Sequence, residues 1–152
     1  MILSERHSPL YNPTDIETTL KTINEEVNGI GFHYWIGTES EAGYEPSAQS
    51  ENRLLILGHY DHAYAHIFEL TFYEVLAHNV VDHEWQDQID QFYLVVNQKE
   101  MQDALQQLGV ELKDGFHVIG IKNFDPVQHN NFSMYVAAKG FSYLSPKLIH
   151  DR

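Results

Sequence analysis

Residues 64 to 76 alternate in character along their whole length. Successive side chains of a strand point to opposite faces, so the run splits into two sets. The even set is Tyr64, His66, Phe68, Leu70, Phe72, Glu74 and Leu76; the odd set is Ala65, Ile67, Glu69, Thr71, Tyr73 and Val75. The even set is the more apolar and is predicted to face the core. This is the longest strand signal in the chain, and the remaining elements arrange themselves around it.

Before it, Asn12-Pro13-Thr14-Asp15 reads as a helix start: Asn12 can cap, Pro13 fits the first turn and Asp15 sits at the positive end. Ile16, Leu20, Ile23 and Val27 then form one apolar stripe, and Asn28-Gly29 ends it. Residues 30 to 37 read as a strand bounded by glycines, with His33 and Trp35 on one face. Residues 38 to 52 form a long polar loop. Leu54 to Leu57 is a short apolar strand, broken near Gly58.

After the central run, residues 82 to 90 read as a polar connection and Phe92 to Val96 as a strand. Asn97 with Glu100 three residues on marks a second helix start; Met101, Ala104, Leu105 and Leu108 give its stripe and Gly109 its end. Two hairpins are expected. One has Val110 to Leu112 and Phe116 to Ile121 about Lys113-Asp114-Gly115; the other has Phe132 to Ala138 and Phe141 to Leu144 about Lys139-Gly140. Asp125-Pro126 and Asn130-Asn131 mark turns. The sum is one α+β domain over residues 1 to 152: a mainly antiparallel sheet with two amphipathic helices.

Of 152 residues, 43% are hydrophobic and 12% aromatic, which describes a folded globule. No cysteine is present, so disulfides, thiolate metal sites and cysteine nucleophiles are excluded. The first residues lack the apolar run of a signal peptide, and no stretch suits a transmembrane helix. The expectation is a soluble cytoplasmic protein.

The formal charge of -13 is unevenly placed. Residues 1 to 98 hold sixteen acids and three bases (Arg6, Lys21, Arg53); residues 99 to 152 hold six of each. The acidity therefore lies wholly in the first part. Nucleic acids and anionic membranes require the opposite sign, whereas a cation or a basic protein suits this one.

Residues 59 to 83 carry five of the ten histidines and no lysine or arginine. Imidazole and carboxylate are common ligands for zinc and similar divalent ions. His59, Asp61, His62, His66, His78 and His83 are the candidate ligands, on a reading of the chain as a metal-binding protein or metal-dependent hydrolase. On a straight strand, His62 and His66 stand roughly 13 Å apart, too far for one ion without a bend. No nucleophile elbow, phosphate-cradling loop or zinc signature appears. A non-enzymatic reading draws on acids set among aromatic anchors. Its candidate partner contacts are Glu39, Glu41, Tyr44, Glu45, Tyr60, Asp61 and Trp85, with no cofactor. A strand edge could also join copies into a homo-oligomer.

The stretch from Leu55 through His59, Asp61, His62, Tyr64, His66 and Glu69 to Val75 resembles a pattern in small bacterial acidic domains, some of them grouped with the immunity proteins of toxin systems. That resemblance implies a cytoplasmic, non-enzymatic binder and assigns no catalytic residue. The leading expectation is thus an immunity-type protein that binds a basic protein partner.

Overall fold

The computed structural model describes residues 9–27, 33–37, 53–59, 68–80, 89–125 and 129–144; at 26–27, 33–36, 57–59, 68, 90, 124–125, 130–131 and 144 the description is of the backbone. The chain is α+β, as the periodicities predict. Helix α1 spans Pro13–Val27 and α2 spans Gln98–Leu108. The strands are β1 His33–Gly37, β2 Leu54–His59, β3 Phe68–His78, β4 Ile89–Leu94, β5 His117–Asp125 and β6 Asn130–Leu144. They form one sheet in the order β1-β2-β3-β6-β5-β4, every pair antiparallel.

The helices cover opposite faces. The α1 stripe of Ile16, Leu20 and Ile23 is buried on Leu54, Ile56, Leu70, Phe72, Phe92, Ile119, Ile121, Met134 and Val136. Each such aliphatic side chain removed from water contributes about 1.5–3 kcal/mol. Residues one step out of phase (Tyr93, Val95, Val118, Tyr135 and Ala137) form a second cluster with Met101, Ala104, Leu105 and Leu108 of α2. Both predicted caps form. Asn12 Oδ1 accepts from Thr14 N at 2.8 Å. Asn97 Oδ1 accepts from Glu100 N at 3.0 Å, and Gly109 closes α2 in the left-handed region at φ 70°. Helix α1 also closes the edge strand β4: Asn24 Nδ2 donates to Phe92 O at 2.8 Å, and Phe92 N donates to Asn24 Oδ1 at 2.9 Å.

The strand readings need four corrections. Strand β2 runs on through Gly58 to His59, because Gly58 pairs with both Tyr34 and Phe68. Strand β4 starts at Ile89 and ends at Leu94. Neither expected hairpin exists. Residues 110 to 112 form no strand; they return from α2 to a turn in which Phe116 N donates to Lys113 O at 3.1 Å. The observed hairpin joins β5 to β6 between Asp125 and Asn130, at the Asp125-Pro126 turn signal.

Lys139-Gly140 is the most instructive misreading, because β6 passes straight through it. Gly140 serves a close approach rather than a turn. Leu10 bridges Phe141 in antiparallel fashion beyond the end of β5, and an added Cβ on Gly140 would stand 2.1 Å from Leu10 O. Opposite, Glu74 holds φ 50°. At this point both strands turn over. Phe72 and Val75 contact the same core although three residues apart, as do Ala138 and Phe141. The even-inward rule for the central strand therefore holds for Leu70 and Phe72 and then shifts: Val75 faces α1, while Leu76 packs on the α2 side. The odd set is not a solvent face either, since Glu69 and Thr71 are 1% and 0% exposed.

Gly140→Ala is expected to cost roughly 1–3 kcal/mol, the range for forcing atoms into packed space. Urea unfolding should show it as a lower midpoint, with the helical signal of the folded state retained.

Candidate functional site

The densest polar arrangement among the described residues is built on one row across three strands. Tyr93 of β4 pairs with Gly120 of β5, which pairs with Tyr135 of β6. Gly120 supplies the room: an added Cβ would fall 2.3 Å from Tyr93 Cζ, so the Tyr93 ring lies across the glycine. This brings both phenols beneath the first turn of α2. Tyr93 Oη donates to Glu100 Oε2 at 2.5 Å, and Tyr135 Oη donates to the same oxygen at 3.0 Å. Tyr93 Oη also meets Ser133 Oγ at 2.9 Å. The backbone below is fixed by Asn79, whose Oδ1 accepts from Tyr135 N at 2.7 Å and whose N donates to Tyr135 O at 3.2 Å.

Burial pushes both phenols above the ordinary tyrosine range, and the Glu100 carboxylate adds to it. Such hydroxyls stay protonated and donate; neither serves as a base near neutral pH. The arrangement pins a helix to a sheet by charge-assisted hydrogen bonds. Sequence reasoning missed it. Glu100 reads as half of a capping pair, yet its carboxylate turns to the tyrosines. Only the register across β4, β5 and β6 reveals the partners.

The candidates read from the sequence separate as follows. Glu39, Glu41, Tyr44 and Glu45, then Tyr60, Asp61, His62 and His66, then His83 and Trp85, lie outside the described residues. His59 ends β2, where it is the Cα partner of His33 on β1. His78 ends β3 and is half-buried; its Nδ1 accepts from Val80 N at 3.3 Å. Phe68, at the start of β3, pairs with Gly58 next to His59, so His78 sits ten residues along β3 from that end. At about 3.3 Å per residue this is roughly 30 Å. The backbone thus sets His59 and His78 about the length of β3 apart. Among the side chains described, no three histidine, aspartate or glutamate groups converge. No helix among the described residues is long and apolar enough to cross a membrane.

Glu100→Ala leaves two part-buried phenols without their acceptor and is expected to lower stability by about 1–3 kcal/mol. Combined with Tyr93→Phe, the losses should be non-additive in a double-mutant cycle measured by urea unfolding. Raised phenol pKa values give a stabilisation that is complete below the unfolded value of about 10 and lost as pH rises through the folded value. Wild type should therefore lose stability above about pH 10 more steeply than Tyr93→Phe. With this geometry in place, the chain matches no protein-family model, no curated protein and no solved structure.

Proposed function

We propose that this chain is a non-enzymatic binding protein whose partner is a basic protein. The observation that carries the reading is the sorting of charge on α1. Its apolar stripe is spent on the core, and its outer side leaves Asp15, Glu17 and Glu25 exposed, with Lys21 the one exposed base among its described residues. This face belongs to the part of the chain that carries the whole formal -13. A field of one sign over a surface steers an oppositely charged partner and raises its rate of encounter. The resemblance of residues 55 to 75 supports the finer reading, an immunity-type protein of the bacterial cytoplasm that neutralises a toxin. The polar centre around Glu100 is compatible with this role, since its phenols are used up in holding α2.

The test is capture on the immobilised chain from the cells that encode it. A specific basic protein should be retained at low salt and lost as salt rises, because screening reaches about 8 Å at 0.15 M. Reversal of Asp15, Glu17 and Glu25 together to lysine should slow association by at least about tenfold, the lower bound for steering by a charged surface. Failure to retain any specific basic protein at low salt would overturn the reading, as would unchanged association of the reversed variant.

A further inference from the structure

We infer that Asn123 and Phe132, at the end of the sheet beyond α1, form a docking point for an arginine side chain of the partner. The inference rests on the basic-partner reading and names the group such a partner inserts. Asn123 of β5 is the Cα partner of Ile89 on β4 and of Phe132 on β6. Directly opposed residues share a face, and Ile89 packs on the α1 cluster. This row therefore continues the α1 face, next after the buried row of Phe92, Ile121 and Met134.

Three irregularities meet there. The first is a buried acceptor. Asn123 is 1% exposed; its Nδ2 donates to Ile121 O at 2.9 Å, and its Oδ1 takes no hydrogen bond among the described residues. The two ends of a planar amide diverge. With Nδ2 turned back along β5, the oxygen turns the other way, toward the end of the sheet. Buried polar atoms are nearly always bonded, and the exception needs an explanation; a donor arriving from another molecule supplies one. The second is Phe132, a large aromatic side chain left 44% exposed beside that amide. The third is a shift in the register of β4 between Ile89 and Gln91, on the strand next to Asn123. Bulges of this kind gather beside functional sites, where they re-aim side chains.

Charge selects the occupant. Helix α1 runs along β5 toward this row. Its entry is held at His117, whose Nε2 lies 2.8 Å from Tyr11 O, and Asn24 is bonded to Phe92, the Cα partner of Ile121. From Asn24 to Val27 the helix advances about 4.5 Å more, which brings its negative end toward Asn123. No base stands in that last turn, and Glu25 is exposed. A buried carbonyl oxygen, a negative helix end and a carboxylate favour a cationic donor. The exposed ring narrows the choice to guanidinium, which stacks on aromatic faces and donates from a planar fork. Its plane lies on Phe132 while one N–H reaches Asn123 Oδ1. An exposed side chain changes rotamer within nanoseconds, so the Phe132 ring can turn to admit the group. The outer acids of α1 attract any cation at long range; this row turns the attraction into a particular contact.

The probe is Nα-acetyl-arginine methylamide, titrated into isotope-labelled full chain at low salt and followed by NMR. The Asn123 side-chain amide, identified by its loss in Asn123→Leu, should shift saturably. The citrulline analogue has nearly the same shape without the charge and should leave that resonance in place. Phe132→Ala should weaken the probe about two- to fivefold, the worth of an exposed cation–π contact. Asn123→Leu should weaken it at least about tenfold on neighbouring backbone amides, the worth of a hydrogen bond to a charged group. Should Asn123→Leu fail to fold, Phe132→Ala and the citrulline analogue decide the matter. An Asn123 amide that ignores the arginine probe, or answers citrulline equally, overturns the inference. Capture from cells judges the basic-partner reading separately. A captured partner indifferent to both substitutions overturns this site alone; a responsive Asn123 amide with no partner captured supports the site and overturns that reading.

Discussion

Strand β6 is the constraint on which the other elements depend. Its fifteen residues pair with β3 from Val136 to Leu144 and with β5 from Asn130 to Ala138. The two pairings overlap at only a few residues, so β6 is the seam between two halves of the sheet. Val136 and Ala138 point into the α1 cluster; Tyr135 and Ala137 point into the α2 cluster. Where β5 stops, Leu10 takes over its place beside Phe141 through N–H···O bonds of 2.8 and 3.2 Å. The start of α1 is thereby tied to the same strand. His117 Nε2, at 2.8 Å from Tyr11 O, ties it to β5 as well.

The turnover at Glu74 and Lys139 shows which energy prevails. A residue other than glycine in the left-handed region costs about 1–2 kcal/mol. The Lys139 Nζ–Glu74 Oε1 pair at 3.3 Å is 40% and 57% exposed at its two side chains, so it returns about 0–1 kcal/mol. The pair cannot offset the strain alone. The balance comes from what the turnover permits: Phe72 and Phe141, both fully buried with ring centres 6.1 Å apart, stay on the α1 core while Val75 and Ala138 remain there too. Keeping strict alternation would have sent one of these sets to the opposite face.

This explains what could be read in the chain and what could not. Caps and stripes are local: Asn12, Asn97 and Gly109 act within four residues, and the helices follow the pattern. Glycine in a strand is ambiguous, because a tight turn and a close backbone approach both need it. Gly140 and Gly120 serve the second purpose, and their partners, Leu10 and Tyr93, are remote or on another strand. The Glu100 centre and the His33–His59 pairing likewise arise from register between distant segments, which alternation alone does not encode. Strand periodicity did set His33 apart from its neighbours, without showing what lay across from it.

The acids of the first part of the chain are physically of two kinds. Asp15, Glu17 and Glu25 stand in water, where each interacts weakly and collectively and salt screens them. Glu69 stands in a buried strip with Thr71 and with Ser142, whose Oγ meets Tyr73 Oη at 2.9 Å. There the local dielectric is low and added salt acts little. The outer acids shape long-range encounter and contribute little to the fold. The inner acid does the reverse: its burial is compensated at short range. Salt therefore acts on the first kind and little on the second. One negative chain in this way carries a screened outer charge and a buried inner one, neither depending on the other.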